Sequence, residues 1–202
     1  REFAADFIAA SVWDNTLTVT NKWSDYSAGQ PLEDVETARQ TLRRATLGMS
    51  ADGGVKFIMG ALVYEKLKNH PDLVDRIKYT AGANNPALLN KKLMAQLFEV
   101  DEVIVCESVF TSDEEGTAEA SAVYTDIVTD DILLIWTPLA AQQLAPSAGY
   151  LFNWRPLTGG GMFFTRNGTN DRERYDWIEV HAYLDWVATA TGSGVYNSDA
   201  VD

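Results

Sequence analysis

The sequence predicts a mixed α+β fold with two lobes, and three observations support this prediction. The first is a long, well-marked helix over residues 31–47. The second is a middle region in which short apolar strands alternate with amphipathic helices. The third is an extended stretch over residues 175–189, longer than the usual strand of about five or six residues. We therefore expect the middle region to form one lobe between the two ends of the chain, with the final strand pairing beneath the long helix.

The helix over 31–47 has a marked beginning and end. Pro31 suits the first helical position because its missing N–H would have no partner there. Acidic residues follow in the first turns, and Arg43 and Arg44 lie near the end, where they complement the helix dipole before Gly48 ends the helix. The apolar residues form one narrow stripe, which is typical of a helix laid across another surface. They are Leu32, Val35, Ala38, Leu42 and Ala45.

The other elements follow from turn residues and apolar spacing. Residues 16–19, which come after a turn at Asp14 and Asn15, alternate as a strand. Further helices are predicted over 60–69, from Pro71 onward and over 87–98. Apolar runs predict strands at 55–59, 102–110, 127–128 and 132–136, of which 102–110 is expected to be central.

The last part of the chain is predicted to be extended. Residues 150–154 and 162–165 flank the glycine run 159–161 and are expected to pair as a hairpin. Over 175–189, alternation separates two faces. One face carries Glu179, His181, Tyr183 and Asp185, and the other carries Ile178, Val180, Leu184 and Trp186.

Composition limits the possible functions. The 202 residues are 46% hydrophobic, enough for one large domain or two small ones. The net charge of −13 repels nucleic-acid phosphates and anionic membranes, which argues against a direct DNA or RNA reader. We expect no signal peptide, and the sequence contains no apolar run near the roughly 18 residues of a membrane span. The single cysteine, Cys106, lies in an apolar run and is expected in the core.

Motifs for catalysis and metal binding are absent from the sequence. There is no nucleophile elbow, phosphate-binding loop or calcium loop. His70 precedes Pro71 at a helix junction, where we expect it to cap or pack. His181 shares one strand face with Glu179 and Asp185, which is the nearest approach to a metal site, but a further ligand is missing. A solvated strand face is the favoured interpretation.

The order of several segments resembles a known protein family. The segments are KWSDYS, QPLEDVETARQTL, LKNHPDLVDRIKY, LFEVDEVIVCESVF, DDILLIWTP, PSAGYLFNW and DWIEVHAYLDWVATATG. Together they resemble the major capsid proteins of tailed bacteriophages, which have the Hong Kong 97-type coat fold. The resemblance extends from Phe7 to about Gly192, and it depends on the order of the segments more than on any one motif.

The resemblance implies a specific division of the chain. Residues 1–50 would form a peripheral domain with a spine helix at 31–47, residues 51–172 an axial domain, and residues 173–202 the return to the peripheral domain. The family also carries an extended N-terminal arm and a long hairpin loop, of which we expect at most the base of the hairpin before Trp23, the rest being either removed or disordered. Because the sequence begins at Arg1 without a methionine, we expect that something upstream was removed, was cut away or lies outside this sequence, so Arg1 need not be the natural N-terminus.

The resemblance also implies a function without catalysis or cofactors. The chain would self-assemble through hexamers and pentamers into the icosahedral head of a tailed phage, enclosing double-stranded DNA without sequence-specific contacts. Scaffold, portal and cement proteins would be further partners, and assembly would take place in the host cytoplasm, without a membrane. We expect subunit contacts to include Trp13, Trp23, Arg43 and Arg44.

Two alternatives remain open from the sequence. One is an encapsulin-type compartment shell protein of the same fold, which would hold an enzyme cargo. The other is a small metal-dependent hydrolase that uses His181 with Glu179 or Asp185.

Overall fold

The structure is a computed structural model that describes residues 2–81, 89–114, 116, 119–140, 146–155 and 161–202. Its helices are α1 (Glu2–Phe7), α2 (Pro31–Ala45), α3 (Ala61–Lys68), α4 (Pro71–Ala81) and α5 (Lys91–Leu97). Its strands are β1 (Asn15–Thr16), β2 (Val55–Gly60), β3 (Glu102–Cys106), β4 (Val109–Thr111), β5 (Tyr124–Asp126), β6 (Ile132–Trp136), β7 (Gly149–Asn153), β8 (Phe163–Asn170), β9 (Tyr175–Ala182), β10 (Leu184–Ala188) and β11 (Gly194–Asn197).

A mixed five-stranded sheet organises the fold, in the order β1-β11-β6-β2-β3. The central strand β6 is buried at all five positions of its sequence ILLIW, as expected for a strand covered on both faces. It pairs antiparallel with β11 and with β2, while β1 and β3 are added at the edges as parallel strands. The pairing of Asn15 with Val195 joins the first part of the chain to the last.

The two faces of this sheet are covered by different parts of the chain. Helices α2 to α5 pack on the face that carries Phe57, Met59 and Leu134. The opposite face, which carries Leu133 and Ile135, packs against the segment containing α1 and Trp13. Alternating residues of β2 and β6 therefore belong to two separate cores, as the two-residue period of a strand requires.

Helix α2 confirms the predicted amphipathic helix laid across another surface. It crosses β6 and β11, with Val35, Ala38 and Leu42 buried against the sheet. It ends at Ala45, two residues earlier than predicted, and Ala45 itself is exposed. Gly48 adopts a positive φ of 88° just beyond the helix, and its N–H donates to the carbonyl of Arg43.

The structure corrects the predictions for the strands around β3. The run predicted at 102–110 splits into β3 and β4, and β3 lies at the edge of the sheet, whereas β6 is central. Residues 127–128 are not a strand, and the extended segment is β5, immediately before them. An apolar run does not by itself distinguish an edge strand from a central one. A strand becomes central only when a second strand, from elsewhere in the chain, pairs with its other side.

The prediction of one long strand over 175–189 is wrong. The stretch divides at Tyr183 into β9, which pairs with β8, and β10, which pairs with β7. The predicted hairpin of 150–154 with 162–165 is therefore also wrong, because each of these segments pairs with a later strand. Within the described residues, the late strand on the sheet beneath α2 is β11. Gly159 and Gly160 lie outside the described residues.

The predicted helices of the middle region are confirmed with small changes of their bounds. Helix α5 begins after Asn90, whose side chain caps it by accepting a hydrogen bond of 2.9 Å from the N–H of Leu93. Residues 87–88 of the predicted helix lie outside the described residues. The five-stranded sheet takes strands from all three predicted segments, 1–50, 51–172 and 173–202, and their grouping into peripheral and axial domains stays a prediction.

Candidate subunit-contact surface

The strands β7 to β10 form an extended β-ribbon over 149–188, which carries many of the exposed large apolar side chains of the described chain. The β7–β10 pair and the β8–β9 pair follow each other along the ribbon and meet at Tyr183. The carbonyl of Tyr183 accepts a hydrogen bond of 3.1 Å from the N–H of Trp154, and the two rings make an edge contact at 5.8 Å. Near its other end, β10 packs against α1.

The register of β8 with β9 places uncharged side chains on one face of the ribbon. Phe163 is paired with Ala182, Thr165 with Val180, and Asn167 with Ile178. All six side chains are exposed, and the exposed fractions reach 62% for Phe163, 64% for Val180 and 75% for Ile178. We call these six residues the uncharged face.

The opposite face of the same two strands, which we call the polar face, carries charged side chains beside aromatic ones. Arg166 lies across from Glu179, and its guanidinium is 5.8 Å from the centroid of the Phe164 ring. The Nε2 atom of His181 lies 3.1 Å from Oε2 of Glu179. The ring of His181 also stacks on Tyr183, with centroids 6.2 Å apart. Glu179 and His181 are therefore paired with each other within the ribbon.

The side chains considered for a hydrolase site do not form a metal centre in the structure. His181 contacts Glu179, whereas Asp185 lies beyond the break at Tyr183, in β10, where it pairs with Phe152. Among the described residues there is no group of three or more His, Cys, Asp or Glu side chains placed to hold a metal ion. His181 is therefore part of the polar face of the ribbon.

The two tryptophans expected at subunit contacts lie in the cores of the chain. Trp13 is 4% exposed and donates a hydrogen bond of 2.8 Å to the carbonyl of Phe7. Trp23 is fully buried, and its Nε1 donates at 2.8 Å to Oδ2 of Asp34, at the start of α2. Burial raises the pKa of Asp34. Both rings are thus enclosed by their own chain in this structure.

The two arginines expected at subunit contacts are exposed. Arg43 and Arg44 lie in the last turn of α2. Arg43 borders a groove in which Arg39 bridges Glu36 at 2.8 Å and Glu99 at 2.7 Å. A contact role for Arg43 and Arg44 stays a prediction.

His70 occupies the junction of α3 and α4, as predicted. It is 1% exposed, and its Nδ1 accepts a hydrogen bond of 3.3 Å from the N–H of Asp72, in the first turn of α4. Tyr26 contacts the ring edge-on at 5.6 Å. Burial lowers the pKa of His70, and this effect exceeds the opposing effect of the Asp72 carboxylate.

A hydrogen bond between buried Tyr196 and half-buried Asp131 stabilises the five-stranded sheet. The hydroxyl of Tyr196, on β11, donates to the carboxylate of Asp131, which precedes β6. Burial raises the pKa of both groups. Cys106, at the end of β3, is half-buried rather than fully buried, and burial raises the pKa of its thiol. These groups lie within the fold and do not form a separate site.

The sequence revealed part of the candidate surface. The alternation over 175–189 correctly separated Ile178 and Val180 from Glu179 and His181. The sequence predicted a strand at 162–165, which includes Phe163 and Thr165, but it assigned this strand the wrong partner and missed its continuation to Asn170. The strand FFTRNGTN contains a glycine and several polar residues, so its period-2 signal is weak.

Comparison with known proteins gives one similarity in sequence and one in structure. The chain is 27% identical over 139 residues to the major capsid protein of Burkholderia phage BcepMu, covering 66% of this chain and 40% of that protein. This similarity confirms the resemblance identified from the sequence. The fold matches the crystal structure of a phage-related protein from Bordetella bronchiseptica with a TM-score of 0.75 and 18% identity, covering 98% of this chain and 61% of that one. The chain thus spans less than two thirds of either protein.

One further comparison and one property of the helices bear on the class of protein. No protein-family model matches the chain. In the part of the chain that the structure describes, no helix combines the length and the hydropathy that crossing a bilayer requires.

Proposed function

We propose that this chain is a major capsid protein, with a structural and non-enzymatic role in a phage head. The observation that carries the proposal is the similarity to a phage major capsid protein over 139 residues. The fold supports it, because the match to a phage-related protein covers 98% of the chain. A subunit of this kind functions through repeated contacts in closed symmetry, which requires no catalytic group.

The finer form of the proposal is the Hong Kong 97-type coat fold. The pairing of β1 with β11, which joins the two ends of the chain, supports a peripheral domain made from 1–50 and 173–202, although three strands of the same sheet come from 51–172. Residues 51–172 would form the axial domain. The spine helix would be α2, although the strand beneath it is β11 and not the stretch at 175–189.

The proposed partners are other copies of the chain, arranged as hexamers and pentamers of an icosahedral head. Scaffold, portal and cement proteins would complete the assembly in the host cytoplasm. The head would enclose double-stranded DNA without gripping it, because a net charge of −13 disfavours tight phosphate contacts. Arg43 and Arg44 are proposed contact residues, since both are exposed at the end of α2.

Negative-stain electron microscopy of the expressed protein tests this proposal. We expect closed, uniform shells that sediment far faster than a 22.3 kDa monomer. Cells carrying the empty vector, taken through the same purification, control for particles of the host. A protein that remains monomeric at every concentration and ionic strength would contradict the proposal.

A further inference from the structure

We propose that the uncharged face of the β8–β9 ribbon docks against the same face of a second copy of this chain. The inference rests on the proposed capsid function and specifies one of its contact surfaces. The face consists of Phe163, Thr165, Asn167, Ile178, Val180 and Ala182.

This part of the ribbon lacks the support that a two-stranded sheet needs. An isolated pair of strands is only marginally stable in water unless one face packs against something. Among the residues that the structure describes, β8 and β9 pair only with each other, and all six residues of the uncharged face are exposed. Neighbouring large apolar side chains that are exposed together usually mark an interaction site.

Charge makes the uncharged face the most favourable part of the ribbon for contact with a second copy. Two copies that each carry a net charge of −13 repel one another, so they approach best through a surface without charges. The uncharged face meets this requirement, and the first charged residue on the same face is Asp176, towards the hairpin tip. If the two ribbons lie antiparallel, the two Asp176 carboxylates lie at opposite ends of the contact. A parallel arrangement would instead bring them together.

The area of the face is sufficient for a specific contact. The exposed side chains offer on the order of 500 Å² per copy, since a large aromatic side chain alone buries about 150–250 Å². Two such faces would bury roughly 1,000 Å² in total, which is about the lower limit for a specific interface. Because the same patch is used on both copies, the contact would have twofold symmetry.

The geometry of stacked β-sheets defines the contact further. Two twisted sheets pack face to face about 10 Å apart with their strands about 30° from alignment. In the antiparallel arrangement, the twofold axis passes near the pair formed by Thr165 and Val180, which is central among the three uncharged pairs. Val180 of one copy would therefore face Val180 of the other.

A charge substitution with a matched control tests the surface. Ile178→Glu would bury a carboxylate without a partner, so we expect sedimentation equilibrium to show association at least about tenfold weaker than in the wild type. Leu139→Glu is the control, because the leucine side chain is an isomer of the isoleucine side chain. Leu139 is 84% exposed and lies outside the ribbon. We expect this variant to associate like the wild type. Equal effects of the two substitutions, or a wild type that never associates, would overturn the proposal.

Thiol cross-linking tests the geometry independently. In a Cys106→Ser background, Val180→Cys should be joined into a covalent dimer by a short bismaleimide that alkylates one thiol on each copy, because facing sheets about 10 Å apart hold the two thiols too far apart for a direct disulfide. Glu179→Cys, one residue away on the polar face, should remain largely monomeric. Equal rates for the two variants would contradict the proposed face. The thiol introduced by Val180→Cys should react freely with thiol reagents in the monomer. If it is protected in the monomer, the face is covered within one chain, which also overturns the proposal.

The two proposals fail in different ways. If shells form and Ile178→Glu behaves like Leu139→Glu, the capsid function stands and the ribbon contact is wrong. If the protein forms only dimers, and Ile178→Glu abolishes them, the ribbon contact stands and the capsid function is contradicted.

Discussion

At the scale of single residues, His70 couples the stability of the fold to pH. Its ring is buried between α3 and α4 and beside Tyr26, and the Asp72 carboxylate lies 3.8 Å from its Nδ1 atom. Burial lowers the pKa of His70 in the folded state, so folding favours the neutral ring. The stabilisation is complete above the ordinary histidine pKa of about 6.5 and is lost as the pH falls through the lower folded-state pKa.

We therefore predict that the free energy of unfolding decreases as the pH falls from about 7.5 to about 5, as measured by urea denaturation. His70→Gln should reduce this pH dependence, because glutamine does not titrate. The other histidine provides the control, and His181→Gln should retain the dependence of the wild type. Identical pH profiles for the two variants would exclude His70 as the titrating group.

The backbone conformation of Leu47 lowers the stability of the fold. It is 91% exposed and adopts a positive φ of 53°, where a Cβ atom clashes with the backbone. Leu47→Asn should raise the free energy of unfolding by about 0.5–1 kcal/mol, since asparagine tolerates this conformation. Leu47→Ala retains the Cβ and should change stability by less than about 0.5 kcal/mol. A stabilisation of the same size in both variants would attribute the effect to the loss of an exposed apolar side chain.

At the scale of elements, the packing of α2 on the central sheet is the contact that organises the fold. Leu42 is 1% exposed in the core that joins α2 to β6. Leu42→Ala should lower the free energy of unfolding by about 3 kcal/mol, through lost burial and a cavity. Leu47→Ala, five residues later and outside the core, is the matched leucine control. A loss below about 1 kcal/mol for Leu42→Ala would show that α2 is not packed as described.

Local patterns determine how much of these elements the sequence predicts. Helix α2 and strands β2 and β6 are predictable because each carries its own period, cap or apolar run. Local patterns do not predict the edge position of β3 or the separate partners of β9 and β10, because pairing depends on strands distant in sequence. Dependence on distant segments also explains why the sequence places Trp13 and Trp23 at subunit contacts, whereas the structure encloses both in its cores. Their enclosure depends on β11 and on the start of α2, which local reasoning does not bring together.

At the scale of the whole molecule, net charge and an uncharged ribbon face act in opposite directions on association. A charge of −13 on each copy disfavours contact, and salt screens this repulsion. We predict that association strengthens as ionic strength rises from about 0.01 M to about 0.15 M, where the Debye length falls from about 30 Å to about 8 Å. Sedimentation velocity measures this directly. Association that weakens over the same range would indicate contacts dominated by ion pairs.

If copies of this chain tile a closed shell, a cryo-electron microscopy reconstruction of the assembled particles will show it. We predict a repeating subunit into which the five-stranded sheet, with α2 across β6 and β11, fits as observed. Particles whose repeating density cannot accommodate this sheet and helix, or preparations without any closed particle, would contradict the proposed capsid role.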